Sequence, residues 1–122
     1  MAVELDHTIV PARDKVASAR FLARILGVQV HEGAAGHFTP VRVNDRLTLD
    51  YCQNSQPTSH HYAFKVSEAE FDEVLGRLKA DGVAFGGGPF SRTDGRIYDL
   101  DGGRRVYFDD PNGHVLEVLT VS

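Results

Sequence analysis

The spacing of apolar residues changes period several times along the chain, and the changes come in the same order twice. Leu5 to Val10 reads as a first strand, and Pro11 ends it. From Lys15 to Leu26 the apolar positions Val16, Phe21, Leu22, Ile25 and Leu26 recur at helical spacing. Asp14 stands where an N-cap belongs, and Gly27 where a helix stops. Val28 to His31 is a short strand, and Gly33-Ala34-Ala35-Gly36 a turn or mobile loop. Phe38 to Val43 and Leu47 to Cys52 form a hairpin around Asn44-Asp45. The polar segment Gln53 to Ser59 reads as a linker.

After it the order restarts. His61 to Val66 is a strand. Ser67 and Glu70 have the spacing of a capping box. The helix that follows runs to about Ala80 and buries Phe71, Val74, Leu75 and Leu78, and Gly82 stops it. Val83 to Phe85 is a short strand, and Gly86-Gly87-Gly88-Pro89 a flexible break. Arg96 to Leu100 and Arg105 to Phe108 are strands around Asp101-Gly102-Gly103. The chain closes on a hairpin through Asp110-Pro111-Asn112-Gly113 into Val115 to Leu119. The pattern predicts an α+β fold of two βαβββ modules in one chain, forming curved mixed sheets around a cavity. All of residues 1–122 form one domain: module one over about 1–55, a linker over about 53–59, and module two over about 60–122.

Side chains alternate along a strand, so each strand has two faces. Tyr62, Phe64 and Val66 share the helix-facing side, and His61, Ala63 and Lys65 point the other way. Thr48, Asp50 and Cys52 oppose Leu47, Leu49 and Tyr51. Arg105 and Tyr107 oppose Val106 and Phe108, and Glu117 opposes Leu116 and Val118. Each half offers a second face holding one histidine, His7 or His61, and one acid, Asp50 or Glu117. Two such faces together make a cavity with imidazoles and carboxylates, the ligand set of zinc, manganese, iron(II) and nickel. Glu117 draws attention because a charge inside an apolar strand is costly without a partner. Its candidate partners are a metal ion, or Arg105 or Arg104 across the hairpin. Asp50 has three candidate roles: ligand, partner to a ligating histidine, or cavity acid. His31, His37 and His114 read as surface residues, and His60 as a linker or helix-facing residue.

Composition narrows the field. The 122 residues carry a formal charge of −4 with scattered Lys and Arg, which argues against a nucleic-acid or anionic-membrane partner. No run of 18 apolar residues offers a membrane span. The N-terminus lacks the pattern of a signal peptide. Cys52 is the lone cysteine, so no internal disulfide forms, and a cytoplasmic location fits. The triple glycine lacks the following Lys-Ser/Thr of a phosphate loop.

Three segments carry a family resemblance: Leu5-Asp6-His7, His61 to Val66, and Tyr107-Phe108-Asp109-Asp110-Pro111-Asn112-Gly113-His114-Val115-Leu116-Glu117. With them the whole chain resembles the vicinal oxygen chelate superfamily, which holds glyoxalase I, bleomycin resistance proteins, fosfomycin resistance enzymes and extradiol dioxygenases. The resemblance implies metal ligands at His7, His61 and Glu117. Asp50 stands where glyoxalases carry a fourth ligand, Glu or Gln, one methylene longer. It further implies a divalent metal ion (Zn, Mn, Ni or Fe(II)) that chelates neighbouring substrate oxygens, and Glu117 or Asp50 as a base. Tyr107 and Arg105 would meet the substrate, Arg105 holding an anionic group. Implied too are a small-molecule substrate or drug and a homodimer, with the site inside one chain or between two. The expected activity is that of a metal-dependent lyase or isomerase, thiol transferase or dioxygenase. The alternative is a metal-free protein that sequesters an antibiotic or drug, as bleomycin resistance proteins do.

Overall fold

Asp14 and Gly27 set the ends of the first helix. The computed structural model describes residues 3–33, 36–100 and 102–122. Asp14 accepts a hydrogen bond from the Ala17 N–H at 3.0 Å, and Gly27 turns left-handed at φ 73° while its N–H reaches Ala23 O. Helix α1 (Lys15–Leu26) follows β1 (His7–Ala12) and precedes β2 (Gln29–Val30), β3 (Phe38–Arg42) and β4 (Thr48–Gln53). These elements make the first of two compact units, 1–58 and 59–122. Its sheet has the order β1-β4-β3-β2, with β1 parallel to β4 and the other pairs antiparallel. One sheet face buries Val10, Val41, Leu49 and Tyr51, and α1 contributes Leu22 and Ile25 to the same unit's core.

Pro11 does not end β1. It pairs with Cys52 inside the ladder. The sheet order explains why: β1 is an edge strand, where a residue without an N–H costs no ladder bond. The hairpin turn is held by Asn44, whose Oδ1 accepts from the N–H groups of Arg46 and Leu47. Ala34 and Ala35 of the first glycine-flanked loop, and Asp101 of the later turn, lie outside the described residues.

The second unit repeats the plan with β5 (His61–Lys65), α2 (Glu68–Ala80), β6 (Tyr98–Leu100), β7 (Gly103–Asp109) and β8 (Val115–Leu119). Its sheet order is β5-β8-β7-β6, again with one parallel pair, β5 with β8. Both bonds of the capping box are present: Ser67 Oγ accepts from Glu70 N–H, and Glu70 Oε1 accepts from Ser67 N–H. Helix α2 buries Phe71, Val74, Leu75 and Leu78. Arg104 of β7 lies 4.3 Å over the Phe71 ring and pairs with Glu68 and Asp72 of the helix. The fold is therefore α+β, two βαβββ modules, each with a four-stranded mixed sheet.

Val83 to Phe85 forms no strand. Val83 N–H instead closes the end of α2 on Leu78 O, and pairing begins at Gly86, which exchanges two hydrogen bonds with Tyr107 of β7. Residues 86–97 make a loop tied by Asp94, whose Oδ1 accepts from Gly87 and Arg96 N–H groups. That tie shortens β6 to Tyr98–Leu100.

Candidate functional site

In the second unit the pairing register decides what meets. Glu117 stands between Ala63 of β5 and Tyr107 of β7. His61 is two residues before Ala63, so its ring lies diagonally beside Glu117 on the same face. His61 Nε2 donates to Glu117 Oε1 at 2.9 Å, and Arg105 Nε reaches Oε2 at 3.2 Å. Both oxygens of this buried carboxylate, on a side chain only 8% exposed, are thus engaged. Of the partners considered for Glu117, the structure shows Arg105, and it adds His61, which was expected only as a fellow metal ligand. Arg105 is bound further: its pKa is raised first by a hydrogen bond to Tyr107 and also by the charge of Glu117, and its guanidinium reaches Val121 O. Tyr107 is buried, its ring centre 6.2 Å from that of His61.

The closing turn holds this pair in register. Asp110 Oδ1 accepts from Asn112 and His114 N–H groups, both at 2.8 Å. His114 is 0% exposed, not a surface residue. Its Nδ1 accepts the His60 N–H at 2.9 Å, and Val115 N–H donates to His60 O at 2.8 Å. His60 Nδ1 in turn bonds the Tyr62 hydroxyl. The residue before His61 is therefore clamped to the residue after the turn. Sequence reasoning missed this although the signal was available: His114 shares a strand face with Leu116 and Val118, both buried.

In the first unit His7 opens β1 opposite Thr48, and Asp50 lies two residues further along β4, opposite Ile9. Asp6 Oδ2 accepts from His7 Nδ1 at 2.7 Å. That bond is the main reason the His7 pKa is raised; the Asp6 charge adds to it, and Asp50 contributes a smaller part. It also leaves Nε2 as the free ring nitrogen, the arrangement of a metal-binding histidine with a carboxylate behind it. His7 and Asp50 line a cavity of about 460 Å³ together with Asp6, Thr48, Pro40, Arg42 and His31. His31 and Arg42 were not singled out from the sequence. The hairpin register around Asn44 would have placed Arg42 opposite Thr48, as found.

Do these donors suit a divalent ion? Two neighbouring ligands held about 2.1 Å from one ion, at right angles, stand about 3 Å apart. The His61–Glu117 spacing of 2.9 Å meets that requirement, with a metal replacing the shared proton. Among the described residues no group of three or more His, Cys, Asp or Glu side chains is gathered for a metal ion. The second unit thus presents a two-donor pair, and His7 an imidazole with a free nitrogen.

A family model for the glyoxalase/bleomycin resistance protein/dioxygenase superfamily matches residues 4–118. The chain belongs to that superfamily. A solved structure named Oxidase ChaP-H2 is 49% identical, with a TM-score of 0.93, covering 100% of this chain and 96% of that one. Oxidase ChaP-H1 is 47% identical, with a TM-score of 0.92, covering 99% and 98%. The fosfomycin resistance protein FosX from Mesorhizobium loti shares the fold at 22% identity and a TM-score of 0.72, over 100% of this chain and 95% of that one. Among the described residues no helix is long and apolar enough to cross a membrane.

Proposed function

We propose that the protein is a divalent-metal-dependent oxidase acting on a small oxygen-bearing molecule, with His7, His61 and Glu117 as the metal ligands. The observation that carries this reading is the convergence of His61 Nε2 and the buried Glu117 carboxylate at 2.9 Å. Two histidines and one carboxylate with open positions suit iron(II) oxygen chemistry best. Similarity to two oxidases at 49% and 47% identity favours oxidation over isomerisation or thiol transfer. Members of the superfamily commonly use divalent metals. The chemistry such an ion supplies is polarisation of two neighbouring substrate oxygens and electron exchange with an oxidant.

The chain's own groups have distinct tasks in this reading. Asp6 holds the His7 tautomer that leaves Nε2 free. Arg105 orients Glu117 and offsets its charge in a largely buried place. Tyr107 packs beside the His61 ring and lines the substrate space. Asp50, facing the cavity of the first unit, serves as a further ligand or as the base that takes a substrate proton. The protein would work as a cytoplasmic homodimer.

An oxygen electrode tests the reaction class. Protein loaded with iron(II) under anaerobic conditions is offered catechols, hydroxy acids and a glutathione hemithioacetal. The reading expects oxygen uptake that depends on substrate and disappears in Glu117→Gln. Isomerisation of the hemithioacetal without oxygen uptake would instead place the protein among the glyoxalases.

A further inference from the structure

We propose that the cavity of the first unit binds an organic carboxylate through Arg42, and that the substrate therefore carries such a group. This deepens the oxidase reading and rests on it only in calling the bound anion a substrate; the anion site itself stands on the first unit alone.

The sheet register lays out the cavity floor. His7, Thr48 and Arg42 lie side by side across β1, β4 and β3, making one polar row. Asp50 and Pro40 make the next row of the cavity floor, and Ile9 continues that row along the sheet outside the cavity lining. Ile9 is 51% exposed although it is a large aliphatic side chain on a sheet face. A ligand with one charged end and a hydrocarbon body fits these two rows. The volume, about 460 Å³, lies within the usual range for small-molecule sites.

Among the described residues Arg42 is the cavity-lining arginine, and its guanidinium has no partner there. Arg20 pairs with Glu32, Arg46 with Glu4, Arg92 with Asp109, Arg104 with Glu68 and Asp72, and Arg105 with Glu117. Arg42 lines the same cavity as Asp50 and Asp6, yet makes no ion pair or side-chain hydrogen bond with any described residue. Asp6 is already engaged by His7. The free guanidinium keeps its planar fork of donors, which matches a carboxylate with two parallel bonds, and Thr48 brings a hydroxyl alongside. Arg105 is the other candidate for an anionic group, but its guanidinium is held by Glu117, Tyr107 and Val121. In this proposal the anion-holding role falls to Arg42 of the first unit.

The test uses the full-length, metal-free protein and benzoate as probe, with benzamide as the neutral analogue and benzylamine as the cation. Binding is followed through backbone amide NMR signals. Benzoate is expected to shift Arg42 and Thr48, and to bind about ten- to a hundredfold more weakly to Arg42→Met, with partial recovery in Arg42→Lys. Benzamide should lose a similar factor on the parent. Benzoate binding that ignores Arg42→Met, tighter binding of benzylamine than of benzoate, or no benzoate binding at all would overturn the proposal. Iron(II) uptake by the parent, measured alongside, separates the two claims. A parent that binds benzoate at Arg42 but takes up no metal retains the anion site and loses the oxidase reading; one that takes up metal and ignores benzoate does the reverse.

Discussion

His114 is the residue whose removal should be felt furthest. Its ring fills a closed space and its Nδ1 satisfies the His60 N–H next to the proposed ligand His61. His114→Ala leaves a cavity and an unsatisfied donor, and a loss of about 2–4 kcal/mol in urea unfolding is expected. His114→Asn, which keeps an acceptor near the same place, should lose less. Tyr62, half-buried beside this group, gives a pH signature. Its pKa is raised, chiefly by burial and then by the Asp110 charge. A raised folded pKa contributes stability that is complete below the free phenol value of about 10 and is lost as pH rises through the folded value. Unfolding midpoints measured across that alkaline window should fall more steeply for the parent than for Tyr62→Phe; parallel curves would show that Tyr62 titrates as a free phenol. At this scale Glu117 was legible from one rule, that a charge in an apolar strand needs a partner. His114 was not, because a polar side chain next to a Gly-containing turn looks like a loop residue until its strand face is followed.

At the scale of elements, both helices were legible to the residue at their starts. Asp14 and Ser67 act through short local bonds that leave a mark in the sequence. Ser67→Ala removes the cap of α2 and should cost about 1 kcal/mol in thermal or urea unfolding. Glu70, the other half of the box, has its pKa lowered first by its bond to the Ser67 backbone. Its contribution is present above the ordinary carboxylate range and lost as pH falls through the folded value, and Ser67→Ala should flatten that acid limb. The strand ends were less legible because they depend on neighbours distant in sequence. Pro11 stays in β1 only because β1 lies at a sheet edge. Gly86 joins Tyr107 only because residues 86–97 fold back on themselves. A Cβ added at Gly86 would lie 1.8 Å from Ser91 O, a clash with backbone. Gly86→Ala is therefore expected to destabilise by about 1–3 kcal/mol and to displace Tyr107, read as a change in tyrosine NMR signals.

At the scale of the molecule, the repeat of β, α and three strands was plain in the periodicity, and the superfamily followed from three segments near the repeat's key strands. What the sequence could not supply was the allocation of charged groups. The strand faces already offered Arg105 to Glu117, but only the tertiary pairing chooses it over Arg104 and leaves Arg42 open among the described residues. In the His61–Glu117–Arg105 group, Arg105 offsets the charge of the buried carboxylate and His61 hydrogen-bonds it. The most direct check is iron(II) or manganese(II) uptake by the purified protein at neutral pH, followed by calorimetry and elemental analysis, in the parent, His7→Ala, His61→Ala and Glu117→Gln. The account predicts one equivalent per chain in the parent and affinity lowered by about a hundredfold or more in each variant. A parent that binds no divalent metal, or variants that bind it as the parent does, would contradict it.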